Sequence, residues 1–106
     1  IIAYTGTTTL AGVLGHADML KATVLLLECT YLWGPDSRNW LTEVDSARSQ
    51  GHTHIQEIVD NYTAFENKTI ILHHISTRYG PSQVASAVER LQSYFKDTEI
   101  KAFSGI

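Results

Sequence analysis

The chain has 106 residues, 43% of them hydrophobic and 18% charged, and a net charge of −3. That is enough for one core, and it excludes a disordered acidic tail and a broad basic nucleic-acid face, though not a local phosphate site. The single Cys29 excludes an internal disulfide, and no apolar run approaches the length of a membrane span.

Taken in chain order, Ile1 to Thr5 reads as a strand stopped by Gly6, and Gly15 to Lys21 has the makings of a short helical turn. Thr23 to Leu27 is a continuous apolar run, as in a strand buried on both faces. Gly34, Pro35 and Asp36 make 31–38 a loop, and Leu41, Val44 and Ala47 give 40–49 a short helical pattern. Thr53 followed by Gln56 has the form of a capping box, with Ile55, Ile58, Val59, Tyr62 and Phe65 on one face and Asn67 as the end. Lys68 to Leu72 is a second apolar strand. Gly80-Pro81 opens a last helix whose stripe is Val84, Val88, Leu91 and Phe95, and Glu99 to Phe103 closes the chain as a strand. The expected boundaries are strands at about 1–5, 23–28, 69–73 and 99–103, with helices near 52–65 and 81–95. This alternation predicts one layered α/β domain over residues 1–106.

The chemistry gathers where those strands end, which is where ligands bind in α/β layers. Glu28 follows one apolar run, His74 lies just past another, and Thr7 follows the first. Glu28 either emerges into solvent or orients a histidine. His52 precedes the expected cap Thr53, at the mouth of a helix, so the two could form a proton-donating pair near neutral pH. His73 and His74 are neighbours, so in an extended segment only one of them enters a shared site. A lone histidine is a weak zinc signal, because zinc takes several side-chain ligands. Arg78 is either solvated or able to grip a phosphate bidentately. His16 and His54 read as structural or surface residues, and Trp33 and Trp40 as packing. Asn61-Tyr62-Thr63 and Asn67-Lys68-Thr69 match the glycosylation pattern by chance.

Three segments together resemble ribonuclease Z, the metallo-β-lactamase-fold endonuclease that trims the 3′ end of precursor tRNA. They are Glu28-Cys29-Thr30, Gly51-His52-Thr53-His54 and Leu72-His73-His74-Ile75-Ser76-Thr77-Arg78-Tyr79. The likeness runs over nearly the whole chain, and their order and spacing fit the short plant-type forms best. On this resemblance His74, not His73, is the zinc ligand; His52 protonates the leaving oxygen; and Glu28 is its partner. The family's first strand ends in Gly-Asp-Thr, and its aspartate bridges two zinc ions; Tyr4-Thr5-Gly6-Thr7-Thr8 has Thr7 there instead. A neutral hydroxyl is a poor bridge between two dications.

The resemblance implies the C-terminal half of an αββα sandwich. The family's His-x-His-x-Asp-His motif would lie upstream, and the chain, lacking an initiator Met and a targeting segment, is expected to be a piece of a longer protein. It further implies two zinc ions in the complete site and zinc-assisted hydrolysis of precursor tRNA. It implies the N-terminal half of the same fold as a partner and an intracellular setting without a membrane, and it leaves a homodimer open. The isolated chain is expected to be inactive. The rival expectation, favoured by Thr7 and opposed by Glu28 and His52, is a catalytically impaired half that serves as a binding or structural module. A small-substrate hydrolase of the same fold is a third, which the Gly-His-x-His motif disfavours.

Overall fold

A computed structural model describes residues 2–4, 9–33, 44, 46–47 and 49–103. Four strands form one sheet in the order β1 (Ile2–Tyr4), β2 (Val24–Glu28), β3 (Thr69–His73) and β4 (Glu99–Ala102), and every neighbouring pair is parallel. The connections carry α1 (Leu10–Leu14), α2 (Ala17–Lys21), α3 (Ile55–Asp60) and α4 (Pro81–Gln92), with a 3-10 turn at Tyr62–Ala64 after α3. Parallel strands need such crossovers, so sequence spacing and topology agree. The α/β class expected from the alternation holds.

The register sets which side chains share a face. Leu25 is level with Ala3 and Ile70, Ile70 with Ile100, and Leu27 with Leu72. Leu25, Leu27, Ile70 and Leu72 are fully buried and belong to one core with Leu10, Ile55, Ile58 and Leu91. Each such side chain contributes about 1.5–3 kcal/mol by leaving water. The alternate positions behave otherwise. Val24, Leu26 and Ile71 are only half-buried, and Ile2 and Tyr4 beside them are 70% and 61% exposed. The expectation that Thr23 to Leu27 is covered on both faces is thus corrected: among the described residues one sheet face is packed by helices and the other is largely open.

Two boundaries also move. The helix expected near 52–65 begins at Ile55, and its cap is His54 rather than Thr53. His54 Nδ1 accepts from Gln56 N–H at 3.0 Å, and the buried Glu57 carboxylate accepts from His54 N–H at 3.2 Å. The Thr53–Gln56 capping box does not form: Thr53 N–H donates to Glu28 Oε2, and the Gln56 side chain is engaged by Trp33 and Asp60. Asn67 does not end this helix. It is buried, and its side-chain amide donates to the backbone carbonyls of Met19 and Ala22 while its backbone carbonyl accepts from Thr98 Oγ. A glycan there would require unfolding.

The last helix starts as expected. Pro81 is in its first turn, and Gln83 Oε1 accepts from Gly80 N–H at 2.9 Å. It ends at Gln92, whose side chain accepts from Ile100 N–H at 2.8 Å and donates to Thr98 O at 2.8 Å, stitching α4 to β4. The short α1, capped by Thr9, is an addition to the sequence reading. Val44, Ser46, Ala47 and Ser49 are helical, while Trp40 and Thr7 lie outside the described residues. Among the described residues no helix is long and apolar enough to cross a membrane.

Candidate active site

Glu28 ends β2, and the three residues after it are held by two other segments. Tyr31 bridges His54 in a parallel ladder: Tyr31 N–H donates to Thr53 O at 3.3 Å, and Ile55 N–H donates to Tyr31 O at 2.8 Å. Thr30 O accepts from Ser76 N–H at 2.9 Å. These bonds bring the 28–31, 51–55 and 73–79 segments to one end of the sheet. The turn into His52 uses Gly51 at φ 75°, a conformation open to glycine at little cost, and His52 N–H donates to Ala47 O at 2.9 Å.

Glu28 is fully buried, and both carboxylate oxygens are engaged. Oε1 lies 2.8 Å from His52 Nδ1 and accepts from the Thr30 hydroxyl; Oε2 accepts from Thr53 N–H at 3.0 Å. Thr30 Oγ in turn lies 3.3 Å from His52 Nδ1 and 3.2 Å from His74 Nδ1. The two imidazoles stack at 5.8 Å between centroids, 25° from parallel. Thus Glu28, His52 and His74 meet, with Thr30 as the hub. Sequence reasoning quoted Thr30 within its motif but gave it no task. The available signal was spacing: residues two apart in an extended segment share a face.

Hydrogen-bond arithmetic assigns the protons. A carboxylate only accepts, so His52 presents Nδ1–H to Glu28. Thr30 spends its single hydrogen on Glu28, so it receives Nδ1–H from His74. Both histidines therefore keep Nε2 for other work, and neither Nε2 has a hydrogen-bond partner among the described residues. The His52 side chain is 23% exposed and that of His74 55%, so both reach the surface.

His73 and His74 part company, but by a sharper device than strand alternation. The strand stops at His73, and His74 takes φ 59°, a left-handed conformation that costs a non-glycine residue roughly 1–2 kcal/mol. Such outliers recur at functional sites. The kink directs His74 to Thr30, while His73 stacks on Tyr4 at 4.9 Å, away from the cluster. Burial lowers the His73 pKa from the ordinary imidazole value. Burial first, and then the Glu28 and Glu57 carboxylates, push the Cys29 thiol well above its usual range.

Arg78 is exposed, with its guanidinium 5.2 Å from the Tyr31 ring centre and 6.0 Å from that of Tyr79. Trp33 packs as expected: Nε1 donates to Gln56 Oε1 at 2.7 Å, and Arg90 covers the ring at 4.1 Å. His54 is a buried cap, as a structural role requires, and His16 is an exposed residue at the start of α2.

One ligand atom each from Glu28, His52 and His74 falls within 4.8 Å of the others, so the trio could hold a metal ion. The bonding pattern argues for a narrower role. A metal taken by the Nδ1 atoms would have to break the contacts that join them to Glu28 and Thr30. Metal-bound histidines commonly give their second ring N–H to an oxygen acceptor that fixes the ring, most often a carboxylate or carbonyl; the Thr30 hydroxyl stands in that position for His74. The bonding pattern therefore leaves His74 Nε2 available to a metal ion, with Thr30 fixing the ring through Nδ1.

No protein-family model matches the chain. Two curated proteins of Arabidopsis thaliana do. The chain is 45% identical over 92 residues to tRNase Z TRZ1, covering 85% of the chain and 31% of that protein. It is 40% identical over 94 residues to the chloroplastic tRNase Z TRZ2, covering 87% of the chain and 25% of that protein. The chain thus spans about a third or less of the length of these relatives. Identity at this level over nearly the whole chain, on an α/β framework with three motif segments brought to one sheet end, makes it a homologue of part of the ribonuclease Z proteins.

Proposed function

We propose that this chain forms the C-terminal half of the αββα fold within a longer zinc-dependent tRNA 3′ endonuclease and supplies its proton donor and one zinc ligand. The observation that carries the reading is the buried Glu28 carboxylate bonded to His52 Nδ1 at 2.8 Å, with Thr30 linking both to His74. Protonated His52 would carry its labile hydrogen on Nε2 and give it to the departing 3′ oxygen of precursor tRNA. Glu28 fixes the ring's orientation and compensates the imidazolium charge. His74 offers Nε2 to zinc, held by Thr30. Zinc bound there, with the rest of the family's ligands, supplies Lewis-acid stabilisation of the phosphate and activates water. Arg78, exposed and without a carboxylate partner among the described residues, is suited to a substrate phosphate.

The open sheet face supports the half-fold reading. Ile2, Tyr4, Val24, Leu26 and Ile71 form an apolar surface that a second sheet would cover. The N-terminal half of the same fold is the partner proposed for it. Alone, this chain would hold zinc weakly and would not turn over. Thr7, in place of the bridging aspartate, favours the other reading, a catalytically impaired half that acts as a binding module. The intact network around Glu28 favours catalysis, because a module has no need of a buried carboxylate that orients two histidines.

The test is Thr7→Asp in the full-length protein. A carboxylate can neutralise and span a metal pair, so zinc content and cleavage of precursor tRNA should both rise. Zinc content that rises without any cleavage would favour the binding module.

A further inference from the structure

We propose that Tyr31 is a positioning residue that locks Arg78 to His52, so that the phosphate grip and the proton donor move as one body. The inference rests on the reading of His52 and Arg78 given above. Tyr31 clasps His52 from both sides in sequence. Its backbone is bonded to Thr53 O and Ile55 N after the histidine, at 3.3 and 2.8 Å. Its hydroxyl donates to Gln50 Oε1 before the histidine, at 2.6 Å. The ring itself meets the His52 ring nearly edge-on, 6.2 Å between centroids and 76° between planes. The Arg78 guanidinium lies over the same ring at 5.2 Å, within cation–π range.

One aromatic ring thus touches both groups that would meet the scissile phosphodiester. Arg78 is otherwise exposed, and its guanidinium makes no hydrogen bond among the described residues. The Tyr31 ring is the nearer of its two aromatic platforms, Tyr79 lying 6.0 Å away. A flexible arginine loses considerable side-chain freedom on gripping a phosphate, and a ring that holds its plane beforehand reduces that loss. The hydroxyl has a separate task, since the Gln50 bond steadies the turn that delivers His52. The two tasks predict two separable effects, one on tRNA binding through Arg78 and one on turnover through His52.

The experiment uses the full-length, zinc-loaded protein with mature tRNA as binding probe and precursor tRNA as substrate. Arg78→Ala should weaken binding of mature tRNA about two- to fivefold, the size of one exposed charge contact. Tyr31→Leu should weaken it by a similar factor, and Tyr31→Leu with Arg78→Ala should bind no worse than Arg78→Ala alone. Tyr31→Leu should also lower kcat further than Arg78→Ala does, because only Tyr31→Leu disturbs both Arg78 and His52. Tyr31→Phe keeps the ring and loses the Gln50 bond, so it should bind normally and lose part of kcat. Binding losses that multiply in the double variant, or a Tyr31→Phe that binds as poorly as Tyr31→Leu, would overturn the inference. Should Tyr31→Leu fail to fold, Tyr31→Phe with and without Arg78→Ala still decides it. Failure of the full-length Thr7→Asp protein to cleave precursor tRNA would instead overturn the functional reading beneath it.

Discussion

Glu28 Oε1 lies 2.8 Å from His52 Nδ1, although the two residues are 24 apart in sequence and only His52 reaches solvent. The contact depends on the bridge between Tyr31 and His54, which brings the 51–55 segment alongside the end of β2. A fully buried carboxylate is tolerated only where its lone pairs are used. Here His52, Thr30 and Thr53 use them.

Removing that acceptor should therefore cost stability as well as function. Glu28→Ala withdraws the partner of Thr53 N–H, the Thr30 hydroxyl and His52 Nδ1–H together. The expected loss is about 2 kcal/mol, the usual size for stranding a buried polar group. Urea denaturation of the variant against the unmutated chain measures it, and a midpoint that does not move would show that the network carries no stability.

Thr30→Val keeps the shape and deletes the hub. The expected cost in stability is about 1 kcal/mol, with lower zinc affinity, because His74 loses the group that fixes its ring. Thr30→Ser should restore both. Zinc titration of the three full-length proteins checks this, and Thr30→Val binding zinc as tightly as the unmutated protein would contradict it.

The left-handed φ of His74 predicts an order among substitutions measured without metal. His74→Gly should be more stable than His74→Ala by about 1 kcal/mol, since only the alanine retains a Cβ in that conformation. Equal denaturation midpoints for the two would mean that the kink is not held in solution.

Cys29 is fully buried, and its thiol is held neutral. In the native protein it should resist iodoacetamide at pH 8 and react once urea is added. The sign of the linked pH effect follows from the raised pKa. The unfolded chain loses this proton above about pH 8.5, the folded chain does not, and so stability falls as pH rises beyond that value. Cys29→Ala should remove part of that alkaline loss, read as a shallower fall of melting temperature between pH 8 and pH 10.

Much of the framework was legible in the residues. Val24 to Leu27 and Ile70 to Leu72 are apolar runs too short for helices, and β2 and β3 lie there. Glu28, His52 and His74 were legible as strand-end and helix-start residues. That they meet was not, because strand order and the Tyr31–His54 bridge are tertiary facts. The cap was misplaced by one residue, since Thr53 with Gln56 matches the preferred alphabet while histidine is a rare cap. His54 takes the place by accepting from Gln56 N–H through Nδ1 and giving its own N–H to Glu57. The open sheet face was invisible for the opposite reason: Val24 and Leu26 are as apolar as Leu25 and Leu27, so only the register separates the packed side from the open one.

The most direct test of the central claim is to measure zinc content and single-turnover cleavage of precursor tRNA on the same preparations of the full-length Thr7→Asp protein, with and without His52→Ala or His74→Ala. The account predicts that His52→Ala cleaves at least about a hundredfold more slowly, the usual yield of general acid catalysis, with its zinc unchanged. His74→Ala should lose zinc and cleavage together. A His52→Ala protein that cleaves at the unmutated rate would contradict the role of His52 as proton donor.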